Sequence, residues 1–388
     1  MLASAFGLAL LMIVHESGHY FAARAFGMRV DRFSIGFGPS IIRHRPKGSD
    51  TVFQVALIPF LAYVQISGMN PFEEIDPEDK GSYANASLVG RISAILAGPA
   101  ANYVFAALIF FSLFLFIGKY SERQVEVVPD RAAAAAGMQS GDTILSIEGQ
   151  DIKEWKQIPS LIQPNAGKSL QVVVQRNDQP INLEITPQLD EGVGRIGILP
   201  ERVPRPIGEA AWLGITRPAK IIQLTVESLA RVFTGKEKAQ FSGPIGMFRE
   251  TSRAAEEGLV RYLSVIGYLS TALAFFNMLP FPALDGGRFM FLIYEAVTRR
   301  RANQKVEGQI HIIGILVLLS FMAMVSYREW GQKKAPSEIW EDEQKAKAAA
   351  EEAEKKKTST VDSSASPAPS GKTKAQDSPP EPEAPESK

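Results

Sequence analysis

Four long apolar stretches constrain this chain more than any other feature of its sequence. A helix that crosses a bilayer needs about 20 mostly apolar residues, and residues 2–26, 92–117, 263–279 and 310–325 each approach or exceed that length. Over the full 388 residues, 42 Lys and Arg balance 42 Asp and Glu. This balance is typical of a neutral soluble protein, but the apolar and charged residues occupy separate blocks. The sequence therefore predicts a polytopic α-helical membrane protein with four spans.

Basic residues in the loops predict the orientation of these spans. The loop between the third and fourth spans carries Arg288, Arg299, Arg300, Arg301 and Lys305, and the positive-inside rule places it in the cytoplasm. With four spans, both termini and the segment after the second span then lie outside the cytoplasm. The alternative is that residues 2–26 form a cleaved signal peptide. That stretch has no basic n-region, and cleavage would discard its unusual polar residues.

The segments outside the spans differ strongly in composition. Strand-like runs separated by turn signals predict a small β-rich domain between the second and third spans. Apolar residues at helical spacing predict an amphipathic helix over 207–233, which we expect on the membrane surface rather than packed on the spans. The tail is rich in Ala, Glu, Lys, Pro and Ser, and it is expected to be disordered.

These observations divide the chain into five expected parts. Two halves of a membrane core enclose the β-rich domain and a linker, and the tail follows. Their boundaries are 1–122 for the first half, 123–200 for the domain, 201–260 for the linker, 261–330 for the second half and 331–388 for the tail.

The first span contains the pattern H-E-x-x-H at residues 15–19. On a helix, positions i and i+4 share one face, so His15 and His19 can bind one zinc ion with Glu16 beside them as a base. Such residues are costly inside a membrane unless they are paired or bound to a metal. The alternative is that both histidines pack inside the helix bundle without a metal.

A catalytic zinc site usually has three protein ligands and a water, and the third ligand is not obvious. The chain contains no cysteine, and His44 and His311 are expected to be surface or interface residues. The remaining candidate is Asp285, which follows a Pro-rich break at membrane depth, where irregular backbone must be buried or line a cavity. Taken alone, an exposed Asp in a Pro/Gly turn is the simpler interpretation.

Two motifs together resemble the site-2 protease family of intramembrane metalloproteases, in its bacterial RseP-like branch. They are H-E-x-G-H on the first span and N-x-x-P-x-P-x-L-D-G-G at residues 277–287, and the resemblance covers residues 1–327. It implies that His15, His19 and Asp285 bind Zn²⁺ and that Glu16 is catalytic. Residues implied or hypothesised to contact the substrate are Asn277, Pro280, Pro282, Tyr63 and Val64.

The chain departs from the usual family pattern in two places. The resemblance implies a membrane-associated β-loop after the first span, and we expect its residues 36–64 to offer a strand edge to the unwound substrate. In this loop, Leu61 and Ala62 replace a glycine pair before Tyr63. There is also room for one PDZ domain only, whereas better-studied members of this branch carry two.

Residues 123–200 resemble a circularly permuted bacterial PDZ domain. The segment that resembles its carboxylate-binding loop comprises Gly194, Arg195, Ile196, Gly197 and Ile198. A PDZ domain adds a peptide as a strand to its sheet edge and captures the C-terminal carboxylate on backbone N–H groups. The alternative is that the domain binds no tail and acts as a bulky filter over the active site.

The resemblance implies an intramembrane zinc metalloendopeptidase of the bacterial inner membrane, with its active site near the cytoplasmic side and the PDZ domain outside. Expected substrates are single-span membrane proteins, such as a pre-cleaved anti-sigma factor, or remnant signal peptides within the lipid bilayer. Two other functions stay open at this point, a catalytically silent PDZ scaffold and a metal-dependent transporter. The zero net charge gives no reason to expect a nucleic-acid partner.

Overall fold

The computed structural model describes residues 2–70, 72–73, 76–190, 192–236, 242–331 and 338, without the side chains of 59–61. The chain divides into two compact units, Met1–Lys333 and Lys334–Lys388, and the architecture below belongs to the first. The predicted disordered tail lies, apart from residues 331 and 338, outside the described residues.

The described part of the chain contains nine α-helices and ten β-strands. The helices are α1 (Leu2–Ala25), α2 (Leu88–Phe116), α3 (Ala132–Ala135), α4 (Gln157–Ile162), α5 (Ile207–Phe233), α6 (Pro244–Glu257), α7 (Leu259–Asn277), α8 (Asp285–Thr298) and α9 (Gln304–Trp330). The strands are β1 (Val30–His44), β2 (Val52–Ile66), β3 (Lys119–Val127), β4 (Thr143–Ile147), β5 (Gln150–Asp151), β6 (Leu170–Arg176), β7 (Gln179–Ile185), β8 (Gln188–Asp190), β9 (Val193–Arg195) and β10 (Ile198–Val203).

Four of the described helices, α1, α2, α7 and α9, are long and apolar enough to cross a membrane, which confirms the predicted spans. The last of them is longer than the apolar run alone suggested. Its first turn is capped by the Asn303 side chain, which accepts hydrogen bonds from the Lys305 and Val306 N–H groups. Near its other end, the buried carboxylate of Glu329 accepts from Gly243 and Gly246 N–H. Polar side chains at both ends of α9 are therefore hydrogen-bonded, and the helix extends beyond the apolar run of 310–325.

The spans pack around a small apolar core in which α2 is central. Buried side chains of α1, α2 and α7 meet there, namely Leu11, Ala106, Ile109, Phe110, Leu113 and Ile266. Close approach of α1 to α2 depends on Gly18, because a Cβ at this position would lie 2.1 Å from the Ala97 carbonyl oxygen. The first two spans are thus brought into backbone contact at the level of the H-E-x-x-H motif.

The amphipathic helix has the predicted bounds, but it packs on a span as well as presenting an apolar surface. A Cβ at Gly214 of α5 would lie 2.7 Å from Phe111 Cβ, and the Tyr103 hydroxyl donates a hydrogen bond to the Ile215 carbonyl oxygen. The expectation of packing on the membrane surface alone was therefore incomplete. Trp212 and Phe233 of the same helix are exposed, so its second apolar face is uncovered.

The segment between the first two spans is a long antiparallel hairpin of β1 and β2, as the predicted β-loop requires. Residues 32–35 of β1 have partners on both sides, at 52–55 and at 62–65 of β2. The register shifts repeatedly, so the hairpin curls into a small folded-over sheet. Its base packs on the first two spans through Met28, Val30 and Ile66.

The domain between the second and third spans is built on an antiparallel sheet in the order β10-β3-β4-β6-β7, with β5 beside β4. This arrangement is consistent with the predicted PDZ insertion. Its core consists almost wholly of Ile, Val, Leu and Ala side chains, with Ile144, Ile147 and Val174 fully buried. Among the described strands, β10 is an edge strand of this sheet, and residues 194–197 lead directly into it.

Candidate metal centre

The two histidines of the H-E-x-x-H motif lie one turn apart on the buried face of α1. Both are buried, and their Nε2 atoms lie 3.3 Å apart. Helix α2 passes so close that a Cβ at Gly98 would lie 2.2 Å from His19 Nε2. The motif therefore faces the protein interior, as the cost of polar groups in a membrane requires.

Asp285 is brought to these histidines by the break after the third span. It is the first residue of α8, and the two glycines after it allow close packing against the preceding turn. A Cβ at Gly286 would lie 2.2 Å from the Leu279 carbonyl oxygen, and one at Gly287 would lie 2.4 Å from the Phe281 carbonyl oxygen. The turn and α8 thus form one compact unit, which directs the Asp285 carboxylate inward.

Three potential ligand atoms form a nearly equilateral triangle. Asp285 Oδ2 lies 3.1 Å from His15 Nε2 and 3.4 Å from His19 Nε2, and the two Nε2 atoms are 3.3 Å apart. A tetrahedral zinc ion with bonds of about 2.0–2.1 Å holds its ligand atoms about 3.3 Å from one another. The spacing of the three side chains therefore matches one face of a zinc tetrahedron.

The hydrogen bonds behind the histidines prepare their Nε2 atoms for a metal. His19 Nδ1 lies 2.7 Å from the Ala94 carbonyl oxygen. Because a carbonyl can only accept, Nδ1 carries the proton, and the neutral ring then has a lone pair on Nε2. This is the arrangement by which a second partner orients a metal-bound histidine.

His15 has a comparable partner in Asn102, a fully buried residue of α2. Asn102 Nδ2 lies 3.1 Å from His15 Nδ1, and Asn102 Oδ1 has no hydrogen-bond partner among the described residues. Turning the amide over exchanges these two atoms, so that Oδ1 accepts the Nδ1 proton and the Nε2 lone pair is left free. Both histidines can therefore point a lone pair at the same centre.

The donor set fits zinc. Asp285 Oδ2 is buried without a hydrogen-bond donor, and it faces two imidazole nitrogens that bear lone pairs in the forms just described. A metal cation between them would satisfy all three atoms at once. Two imidazoles and one carboxylate are the protein ligands of many catalytic zinc sites, which leave a fourth position for water.

Glu16 lies beside the centre and contacts the β-hairpin. Its Oε2 accepts a hydrogen bond of 3.0 Å from Val64 N–H on β2, whereas Oε1 has no hydrogen bond to any described residue. One oxygen is therefore held by the hairpin, and the other can accept a proton from a neighbouring water. The hydrogen bond also places the strand containing Val64 directly beside the motif.

The other predicted substrate-contacting residues differ in their surroundings. Tyr63 is adjacent to Val64, but its hydroxyl accepts hydrogen bonds from Arg32 and Gln54. Asn277 ends α7 half-buried, and its side chain has no hydrogen bond to any described residue. Pro280 is exposed, whereas Pro282 packs against α9. The side chain of Leu61, one of the two residues that replace the glycine pair, lies outside the described part of the structure.

The predicted PDZ loop lies far from these residues in sequence and immediately before the edge strand β10. Gly197 has φ of +80° and Ile196 is buried. The carbonyl oxygens of these two residues accept hydrogen bonds from Val128 and Ala133 N–H. Arg195 forms an ion pair with Asp190. These hydrogen bonds and the ion pair thus hold the loop at the start of β10, the open edge strand of the sheet.

A buried ion pair holds α8, and hence Asp285, against α2. Arg91 of α2 donates two hydrogen bonds to Glu295 of α8, at 2.9 and 2.5 Å. The Arg91 guanidinium lowers the pKa of the Glu295 carboxyl below its usual value. Nearby, burial raises the pKa of Tyr83 to about 12. Charge pairing thus fixes the far end of the helix that begins with Asp285.

Sequence reasoning assigned no role at the centre to two groups that contact its histidines, namely the Asn102 amide and the Ala94 carbonyl. His311 was expected to be a surface or interface residue, and it proves to be a buried interface residue whose Nδ1 accepts a hydrogen bond from Ala283 N–H. Asn102 could have been found as an isolated amide within an uncharged span, because such residues are functional by default. The backbone carbonyl leaves no signal in a sequence.

The fold and this centre define a class of protein, a membrane-embedded metalloprotease with a zinc site. Comparison with known proteins agrees. The model of Peptidase family M50 matches residues 3–321, so the chain belongs to peptidase family M50. The resemblance to site-2 proteases is thereby confirmed, and with it the assignment as a zinc-dependent metalloprotease.

Individual relatives support the same assignment over most of the chain. The protein mll0638 of Mesorhizobium japonicum is 31% identical over 355 residues, covering 84% of this chain and 96% of that protein. The zinc metalloprotease RasP of Bacillus licheniformis is 26% identical over 403 residues, covering 82% and 96%. The regulator of sigma-E protease RseP of Escherichia coli is 26% identical over 437 residues, covering 84% and 97%.

Proposed function

We propose that this protein hydrolyses peptide bonds within the transmembrane segments of single-span membrane proteins, using zinc held by His15, His19 and Asp285. The observation that carries the proposal is the convergence of the three ligand atoms at 3.1–3.4 Å between apolar helices. A site of this geometry at membrane depth has a direct use in cleaving a chain that lies in the bilayer.

The chemistry divides between the metal and Glu16. When bound, zinc lowers the pKa of a coordinated water to about 7 and polarises the scissile carbonyl as a Lewis acid. Glu16 accepts the proton of that water on its unbonded oxygen and delivers it to the leaving nitrogen. The Val64 N–H group keeps the other oxygen in place, so the carboxylate does not rotate away from the water.

The β-hairpin supplies a surface for the unwound substrate. A helical substrate has its carbonyls hydrogen-bonded and shielded, so it must open before attack. Residues 62–65 pair with β1 on one side, while Val64 N–H points to Glu16 on the other. An extended substrate segment added along this second side would lie beside the catalytic carboxylate. The half-buried side-chain amide of Asn277 is free of hydrogen bonds to the described residues and can fix a further substrate backbone group.

The PDZ insert, with proposed bounds of 123–200, acts outside the cytoplasm in the orientation set by the basic loops. The open edge of β10, with the loop of residues 194–197 before it, supports capture of a C-terminal tail. Its position between the second and third spans equally supports a filter that admits only shortened substrates. Both roles require a substrate already cut on its outer side.

Two kinds of substrate fit this scheme. One is an anti-sigma factor, in line with the name of the Escherichia coli relative, regulator of sigma-E protease. The other is the membrane-bound remnant of a signal peptide. Both are single apolar spans with a short outer end, which is the property that the site and the insert would select.

The test is zinc content together with cleavage of a model transmembrane substrate by the purified full-length protein in detergent. We expect Asp285→Ala to lose zinc and activity, and Glu16→Gln to keep zinc but lose activity by at least about 1,000-fold. Glu256→Gln, a matched change at an exposed position of α6, serves as the control and should retain both.

Other results would contradict the proposal in distinct ways. Full zinc and activity in Asp285→Ala would remove this residue from the ligand set. Zinc binding without cleavage of any membrane substrate by the wild-type protein would favour the silent scaffold. Metal flux across proteoliposomes without cleavage would favour the transporter.

A further inference from the structure

The turn before Asp285 contains a backbone conformation that is unfavourable without supporting contacts. Ala283, two residues before Asp285, has φ of +83°. Only glycine adopts such values readily, because the Cβ of other residues crowds the backbone. Strained residues of this kind persist only where the surrounding structure holds them. The contacts that hold this turn therefore also position the Asp285 carboxylate.

Helix α9 supplies those contacts from one face. His311 Nδ1 accepts a hydrogen bond of 3.0 Å from Ala283 N–H. Gly314, three residues further along α9, lies against Pro282, and a Cβ there would approach the Pro282 Cβ to 2.4 Å. Residues i and i+3 share a helix face. Helix α9 therefore meets the turn with one hydrogen bond and one close backbone contact.

We infer that His311 is a positioning residue for the metal centre, because its hydrogen bond to Ala283 holds the turn that places Asp285 at the zinc. The inference rests on the proposed function, since it requires Asp285 to be a ligand. It gives the fourth span, whose sequence indicated only a spanning helix, a specific part in assembling the site.

The direction of this hydrogen bond defines the state of the ring. A backbone N–H can only donate, so His311 Nδ1 must be unprotonated and the proton must be on Nε2. Nε2 is buried without a hydrogen-bond partner among the described residues. It lies beside a cavity of about 200 Å³ whose lining includes Tyr83, Arg288 and Glu307. The part of the ring that acts on the turn is thus a single acceptor atom at the δ position.

Because position δ of residue 311 must carry an acceptor, the inference can be tested with side chains of similar size that keep, move or remove that acceptor. Asparagine carries an oxygen at the δ position and can accept from Ala283 N–H. Glutamine carries its oxygen one atom further out, and leucine fills the space without an acceptor. If the site needs only close packing of α9 against the turn, His311→Leu and His311→Gln should bind zinc and cleave substrate as well as His311→Asn.

The experiment measures zinc affinity by chelator competition and substrate cleavage at saturating zinc, using the full chain in detergent. We expect His311→Leu and His311→Gln to bind zinc about 10- to 100-fold more weakly, as with other groups that orient metal ligands, and to lower kcat with little change in KM. His311→Asn should remain close to wild type in both measurements. Ser320→Ala, on the same helix, is the control.

Two results would overturn the inference. One is wild-type zinc affinity in His311→Leu. The other is an equal loss in the leucine and asparagine variants, which would indicate packing rather than a hydrogen bond. Asp285→Ala measured in parallel separates failure of this inference from failure of the proposed site. If Asp285→Ala loses zinc while His311→Leu does not, the ligand set stands and only the role of His311 is wrong.

Discussion

The metal centre and the PDZ insert of this protein are stabilised in different ways. The insert is made from one continuous part of the chain, and its core is a cluster of aliphatic side chains between Val125 and Ile196. The metal centre draws its parts from four places, namely α1, α2, α9 and the break at which α8 begins with Asp285. Nearly every part is polar. One region is local and apolar, whereas the other is assembled from distant segments through directional contacts.

This difference predicts how each region fails. Apolar burial is roughly proportional to area and has no direction, so a core tolerates some rearrangement at a cost in stability. A metal site must hold its groups within about 0.5 Å of the productive geometry. Damage to the insert should therefore reduce stability without affecting zinc, and damage to the centre should release zinc without unfolding the chain.

The most severe test of this comparison is Gly98→Ala. The added methyl would lie 2.2 Å from His19 Nε2, where the metal must bind, so we expect zinc binding and cleavage to be lost. Overpacking this contact between α1 and α2 should also destabilise the fold by about 1–3 kcal/mol. The helix preference of alanine over glycine offsets about 1 kcal/mol of this, so the loss of zinc should be larger than the loss of stability. Zinc content and cleavage of the model substrate measure the first effect, and thermal unfolding of the zinc-free protein measures the second.

Gly208→Ala is the matched control for this change. Gly208 lies in α5, and a Cβ there would meet no atom within 4 Å. The control should keep zinc and activity. If Gly98→Ala also kept both, the close approach of α2 to His19 would have no role in the site.

The same comparison explains which parts of the molecule the sequence could predict. Spans and insert follow from patterns over adjacent residues, such as the apolar run of α2 or the strand-like run at 143–147, whereas the β-loop was expected from the resemblance to a family. His15, Glu16 and His19 were recognisable because three functional groups occupy five consecutive positions. Asp285 was ambiguous from its own surroundings, and only the resemblance to a family indicated its role.

The remaining parts could not be predicted because their partners are distant in the chain. Asn102 meets His15 across 87 residues, and His311 meets Ala283 across 28. Helix α6 lies within the predicted linker of 201–260 and α8 within the second half of the membrane core, and neither was predicted as a separate helix. The contact of α5 with α2 depends on Gly214, which helical periodicity does not distinguish from any other small residue.

A second test addresses the insert. Ile144 is fully buried in the core of the sheet, and Ile144→Ala should destabilise the insert by about 2–5 kcal/mol through lost burial and a residual cavity. We expect no change in zinc content or in cleavage of a substrate that already lacks its outer domain. Hydrogen exchange of the β4 and β6 peptides in the full-length protein measures the local loss of stability.

Leu189→Ala is a suitable control for this change, because Leu189 is an exposed residue of β8. It should leave hydrogen exchange in β4 and β6 as it is in the wild type. Loss of zinc in Ile144→Ala would contradict the independence of the two regions and would show that the insert supports the centre.

The smallest expected effect concerns the ion pair between Asp142 and Arg176 in the insert. Asp142, which is 1% exposed, accepts hydrogen bonds from the Arg176 side chain and from Gln139 N–H. Burial alone would raise the pKa of Asp142, but these bonds, led by that from Arg176, outweigh it and lower the pKa below the usual value. Replacing the carboxylate by Asp142→Asn should cost about 1.5–3 kcal/mol at neutral pH, as expected for hydrogen bonds to a charged group.

The pH dependence of this contribution has a definite sign. Because the carboxyl has a lower pKa in the folded protein than in the unfolded chain, its stabilisation is complete above the unfolded value of about 3.9. It is lost as the pH falls through the folded value. Hydrogen exchange in β4 and β6, corrected for intrinsic rates, should therefore show the insert weakening below about pH 4 in the wild type and less so in Asp142→Asn. Asp178→Asn, in an exposed turn, should keep the wild-type profile. An unchanged profile in Asp142→Asn would assign the acid sensitivity to another group, and the insert would then depend on its aliphatic core alone.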